Sequence, residues 1–95
     1  MSSEHVRLHA YVAGMVQGVG FRYFTLRNAQ TLKLTGWVRN LYNGEVEVMA
    51  EGPRSELESL VEMLQKGPSG SRVTGVRAQW LPATGEFYNF NVAFG

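Results

Sequence analysis

The sequence predicts an α+β fold: an antiparallel sheet with two helices on one face, in the order β-α-β-β-α-β, plus a short C-terminal strand. Three observations predict it. Apolar and polar residues alternate over His5–Val12 and Glu45–Ala50, the period of half-buried strands. Two stretches, Phe21–Leu34 and Ser55 to the Gly67-Pro68 stop, carry apolar residues at helical spacing. Asn43-Gly44, between two extended runs, is a strong hairpin signal.

In the first strand, Val6, Leu8, Ala10 and Val12 face a core, with His5, Arg7, His9 and Tyr11 opposite. His5 and His9 share a face but lie roughly 13 Å apart along a strand, too far to hold one metal ion. They read instead as solvent-facing side chains. In the first helix, Phe21, Phe24, Asn28, Ala29 and Leu32 form an aromatic inner face. Trp37–Leu41 is extended, and Val38 and Asn40 share a side by alternation. The hairpin follows, and Val46, Val48 and Ala50 point inward. In the second helix, Ser55 and Glu58 have capping-box spacing, and Leu57, Leu60, Val61 and Leu64 make the apolar stripe. Val73–Leu81 and Phe87–Phe94 close the chain as strands. This order is the split βαβ, ferredoxin-like arrangement. Right-handed crossovers place the first strand in the middle of the sheet, between two partners.

Composition narrows the function. The chain has 95 residues, 44% hydrophobic and 18% charged, suited to one globular domain over 1-95. The net charge of +1 gives no bulk attraction for nucleic acid or membrane. No leader or spanning segment is evident, so a cytoplasmic location is expected. There is no cysteine, and all eight acidic residues are glutamates. Thiolate nucleophiles, disulfides and aspartyl-phosphate chemistry are thereby excluded. The glutamates are scattered, which argues against a metal cluster.

Gly14-Met-Val-Gln-Gly-Val-Gly-Phe-Arg22 lies between the first strand and the first helix. Its glycines permit positive φ and close approach of backbone to a ligand. A turn feeding a helix start aims several N–H groups at one point, backed by the helix dipole. Arg22 adds a planar fork of donors that matches phosphate oxygens. The stretch is thus a candidate anion cradle made of Gln17, Gly18, Val19, Gly20, Phe21 and Arg22. A tight connection without a ligand is the alternative reading. The glycines do not follow G-x-G-x-x-G, and no Gly-Lys-Ser/Thr is present. Asn40 reads either as a polar group facing this cradle or as a turn-capping amide beside the hairpin.

Together with Gly36-Trp-Val-Arg-Asn40, the cradle stretch closely resembles the two signature motifs of acylphosphatases. The similarity extends over nearly the whole chain, including Gly44-Glu-Val-Glu-Val-Met-Ala-Glu-Gly52. The resemblance implies hydrolysis of a carboxyl-phosphate anhydride, with Arg22 binding phosphate and Asn40 holding the attacking water. It implies a small-molecule acyl phosphate as partner and no cofactor or metal. A monomer is expected. Met15 stands where many members carry a basic residue, and Tyr42-Asn43 replaces a common proline-containing turn. Two other classes remain open on sequence: an RNA-binding module with aromatic and basic side chains on an open sheet face, and a regulatory domain of the same fold.

Overall fold

The computed structural model describes residues 4–94. Its elements are β1 (His5–Met15), α1 (Phe21–Thr31), β2 (Thr35–Asn40), β3 (Val46–Pro53), α2 (Arg54–Lys66), β4 (Arg72–Pro82) and β5 (Phe90–Val92). The sheet order is β4-β1-β3-β2-β5. β1 therefore lies inside the sheet, antiparallel to both β3 and β4, as the crossover rule requires.

Alternation sets the core. Leu8, Ala10 and Val12 of β1 are fully buried beside Val46, Val48 and Ala50 of β3 and Val38 of β2. Both helices cover this one face, through Leu57, Leu60 and Leu64 of α2 and Phe21 and Ala29 of α1. Each fully buried leucine or phenylalanine contributes about 1.5–3 kcal/mol of apolar transfer. The register also forms a row across the sheet: Val12 opposes Val46, and Val46 opposes Asn40. Residues in one row point to the same face. Asn40 therefore faces the helices from two strands away, roughly 10 Å from β1.

Four details depart from the sequence reading. First, α1 ends at Thr31, and its buried face is Phe21, Thr25 and Ala29, with Phe24 and Asn28 half-buried. Thr25 tolerates burial because its hydroxyl donates to the Phe21 carbonyl (2.9 Å). The helix stops in a Schellman motif, in which Lys33 N–H donates to Gln30 O (3.0 Å) and Leu34 N–H to Ala29 O (2.9 Å). Lys33 takes the left-handed conformation there, φ 59°, so no glycine announces the end. Second, the capping box does not form. α2 begins at Arg54 after Pro53, so Ser55 is already inside the first turn, and its hydroxyl donates to Glu56 (2.9 Å).

Third, the last strand is short, and the sheet is mixed rather than wholly antiparallel. Only Phe90–Val92 pairs, parallel to β2, with Gly36 opposite Phe90. β4 and β5 occupy opposite edges of the sheet. Residues 83–89 must therefore cross from one edge to the other, and Phe87 and Tyr88 belong to that strap. Fourth, His9 is half-buried and engaged: its Nε2 lies 2.6 Å from Glu47, which also receives Arg39 Nε at 2.6 Å. Glu47 does lie on the outer face, yet it is buried there.

The strap is held by Glu51, which is buried on the outer face. Glu51 accepts Arg7 Nε (2.7 Å), Thr84 N–H (2.9 Å) and Gly85 N–H (3.0 Å). Burial pushes its carboxyl up, but the Thr84 and Gly85 amides and the Arg7 guanidinium outweigh burial and hold it below the usual 4.5. Glu47 is likewise pushed up by burial and pulled lower overall by His9 and Arg39. A depressed folded-state pKa gives stability that is fully present above the unfolded value and lost as pH falls through the folded one. Urea unfolding from pH 7 to pH 3 is expected to show stability falling below about pH 4.5. Glu51→Gln is expected to flatten that limb and to cost about 1–3 kcal/mol at pH 7. An unchanged acid limb in that variant would remove Glu51 from this role.

Candidate active site

The glycine loop is seated from both ends. At the end of β1 the pairing with β4 shifts register between Ala13 and Gly14, a bulge that redirects the chain. Gly14 is required there, since its φ is 124° and a Cβ would overlap the Arg72 carbonyl. Val16 and Phe21 are buried, and Val19 packs against the same core. Between them Gly18 and Gly20 adopt φ 77° and 78°. Space around both is open, so what glycine supplies at these two positions is the left-handed backbone.

Gly20 is the N-cap of α1, with no side-chain cap and no acidic residue in the first turn. The first hydrogen bond from a helical N–H runs from Phe24 to Gly20 O (2.9 Å). The N–H groups of Phe21, Arg22 and Tyr23 therefore have no intrahelical acceptor. Arg22 sits in this first turn, where its charge opposes the helix dipole. An anion relieves both conditions at once: it accepts the free N–H groups and neutralises the guanidinium. Among the described residues no carboxylate pairs with Arg22, whose guanidinium lies 5.5 Å from the centre of the Phe94 ring.

A cavity of about 300 Å³ opens at this point. Gly18, Gly20, Phe21, Arg22 and Asn40 line it, together with Tyr23 and the C-terminal Val92 and Phe94. Among the described residues no acidic side chain does. The arginine and the asparagine, 18 positions apart in sequence (40 − 22), thus meet in one cavity. The Asn40 carboxamide oxygen is buried and accepts no hydrogen bond from the described residues. A buried, unpartnered acceptor costs about 1–3 kcal/mol unless a ligand or water fills it. The turn-capping alternative for Asn40 fails, because Asn43 does that work: its Oδ1 accepts Glu45 N–H (3.0 Å).

Gln17 and Val19 differ from the rest of the predicted set, for neither lines the cavity. Val19 turns into the core. The Gln17 amide donates to the carbonyls of Leu41 (2.7 Å) and Glu45 (2.9 Å), fastening the loop to the hairpin next to Asn40. Sequence reading gave no sign of this clasp, nor of Val92 and Phe94. Those two arrive through the parallel pairing of β5, which no local pattern encodes. Met15 is exposed and lies outside the cavity lining, so its departure from the motif does not touch the cavity wall. Among the described residues no three His, Cys, Asp or Glu side chains gather as a metal site. Gln17→Ala is expected to cost about 1–2 kcal/mol and to speed hydrogen exchange at the Leu41 and Gly44 amides. Unchanged protection at both amides would show that the clasp does not hold the hairpin.

A protein-family model described as acylphosphatase matches residues 8–92. A protein named acylphosphatase from Syntrophotalea carbinolica is 49% identical over 89 residues, covering 94% of this chain and 97% of that one. Another of the same name, from Moorella thermoacetica, is 49% identical over 81 residues, covering 85% and 87%. Among solved structures, an acylphosphatase from Bacillus subtilis superposes with a TM-score of 0.91 at 38% identity, covering 94% of this chain and 99% of that one.

Proposed function

The chain belongs to the acylphosphatase family, and from that premise we propose that Arg22 and Asn40 carry the hydrolysis of an acyl phosphate to carboxylate and inorganic phosphate. The observation behind this assignment is that a guanidinium and a buried carboxamide oxygen, both without a partner among the described residues, line one cavity at a helix N-terminus.

The phosphoryl group sits over the first turn of α1. Arg22 grips two of its oxygens, and main-chain N–H groups of the loop from Gln17 to Arg22 supply further donors. Water donates one hydrogen bond to Asn40 Oδ1, which directs its lone pair at phosphorus. The oxygen–phosphorus bond to water forms as the bond to the acyl oxygen breaks, and that electron pair leaves with the carboxylate. The departing carboxylate has a conjugate acid of pKa about 4, so it needs no proton donor. The carboxamide is no base, so the water proton passes to a phosphate oxygen. Such a loose transition state asks for position and charge more than for acid–base chemistry. This explains how a cavity without carboxylate, thiol or imidazole can serve. All parts of the site come from one chain, which favours a monomer as the acting form. No helix among the described residues is long and apolar enough to cross a membrane, and we retain the cytoplasm as the expected location. An RNA-binding reading is disfavoured by the outer face, where Arg7, Arg39 and Arg77 are each neutralised by glutamate.

Release of phosphate from acetyl phosphate by the purified chain, with EDTA present, tests this reading as a whole. Arg22→Ala is expected to lose phosphate affinity and nearly all turnover, and Arg22→Lys to remain poor because an ammonium cannot grip two oxygens. Inhibition by inorganic phosphate at wild-type strength in Arg22→Ala would refute the clamp. Asn40→Ala is expected to lower kcat by roughly 100- to 1000-fold while the phosphate inhibition constant moves little. The reverse pattern would take the water away from Asn40.

A further inference from the structure

Two depressions adjoin the cavity, and they join it through different residues. One is reached through Asn40 and continues past Gln17 and Tyr42. The other, about 350 Å³, is reached through Gly20 and Tyr23 and runs along α1 past Arg27 and Asn28 to Thr31. In-line displacement puts the leaving oxygen on the face of phosphorus away from the attacking water. With water at Asn40, the acyl group enters the depression that does not contain Asn40. We infer that this cleft along α1 receives the acyl chain, and that Arg27 favours acyl phosphates whose chain ends in a second anionic group. The inference rests on the roles given above to Arg22 and Asn40.

Geometry supports the path. Gly20, Tyr23, Phe24, Arg27, Asn28 and Thr31 recur at helical spacing and form one stripe that begins at the cavity. From Gly20 to Arg27 the helix rises about 10 Å. Helical side chains lean toward the N-terminus. The Arg27 guanidinium does so, lying 5.7 Å from the centre of the Tyr23 ring. It is thereby drawn back toward the cavity, within reach of a short carbon chain whose head is phosphorylated at Arg22. Tyr23, 61% exposed, offers a ring face against which methylenes can lie.

Charge supports the selectivity. Arg7, Arg39, Arg54 and Arg77 are all ion-paired with glutamates. Among the described residues Arg27 has no such partner, and no acidic side chain lines its cleft. The neighbouring polar groups serve their own helix: the Asn28 amide donates to Phe24 O (2.8 Å) and the Thr31 hydroxyl to Arg27 O (3.0 Å). The guanidinium is the charge left to meet a ligand.

The test compares hexanoyl phosphate, adipoyl monophosphate and 5-phosphonopentanoyl phosphate, which share a chain length but end in methyl, carboxylate and phosphonate. The wild-type chain is expected to favour the anionic ends in kcat/KM. Arg27→Gln is expected to lower the anionic-to-neutral ratio about fivefold, and Arg27→Lys to keep most of it. Added salt should shrink the wild-type preference. Whichever anionic end shows the larger ratio identifies a carboxylate or a phosphate as the group selected. An unchanged ratio for both ends in Arg27→Gln, with hexanoyl phosphate still hydrolysed, would overturn the role of Arg27 alone. Failure of the wild-type chain to hydrolyse any of the three would overturn the reading of Arg22 and Asn40, and this inference with it.

Discussion

Two hydrogen bonds from one side chain join the halves of the site. The Gln17 amide holds the carbonyls at both ends of the hairpin loop, Leu41 and Glu45, and so makes the glycine loop and the strand carrying Asn40 a single body. Each half has its own anchor. Val16 and Phe21 seat the loop in the core, and the row Val12, Val46, Asn40 fixes the asparagine in the sheet. The clasp adds a direct tie at the surface to the indirect one that runs through β3. On the roles proposed for Arg22 and Asn40, catalysis rests on positioning, which is sensitive to displacements of about 1 Å.

Charge is divided between the two faces of the sheet. On the outer face, buried Glu47 gathers His9 and Arg39, and buried Glu51 gathers Arg7 and holds the strap that carries the chain to its last strand. These side chains are consumed by structure. On the helix side, Arg22 and Arg27 stand without carboxylate partners among the described residues, both on α1, Arg22 in its first turn and Arg27 past its middle. A net charge of +1 conceals this separation. The anion site proposed at Arg22 thus stands apart from the outer face, where a polyanion would meet arginines already neutralised.

The C-terminal segment ties these two features together. Because the strap crosses the sheet under Glu51, β5 can add beside β2, and Val92 and Phe94 then close one side of the cavity. The stacking of Phe94 on Arg22 gives the guanidinium a neutral neighbour that limits its motion without competing for its charge. An acidic residue in that place would pair with Arg22 and oppose an incoming phosphate.

The amino-acid sequence alone determined the order of elements, the buried faces of β1, β3 and α2, the glycine turn, and Arg22 and Asn40 as candidates. Each of these is written in short-range features: a period of two or of nearly four, a Gly-Pro stop, glycines at positive φ, and two motifs of contiguous residues. Where local pattern competed with packing, it misled. The face of α1 turned to bury Thr25, α2 began two residues too early for its capping box, and His9 met Glu47 across the sheet. Only the tertiary structure decided the parallel pairing of β5, the burial of Glu47 and Glu51, the clasp from Gln17, and the meeting of Arg22 with Asn40 and Phe94. Those contacts join residues distant in sequence. Their energies depend on which strands lie side by side, and no periodicity within a single element records that.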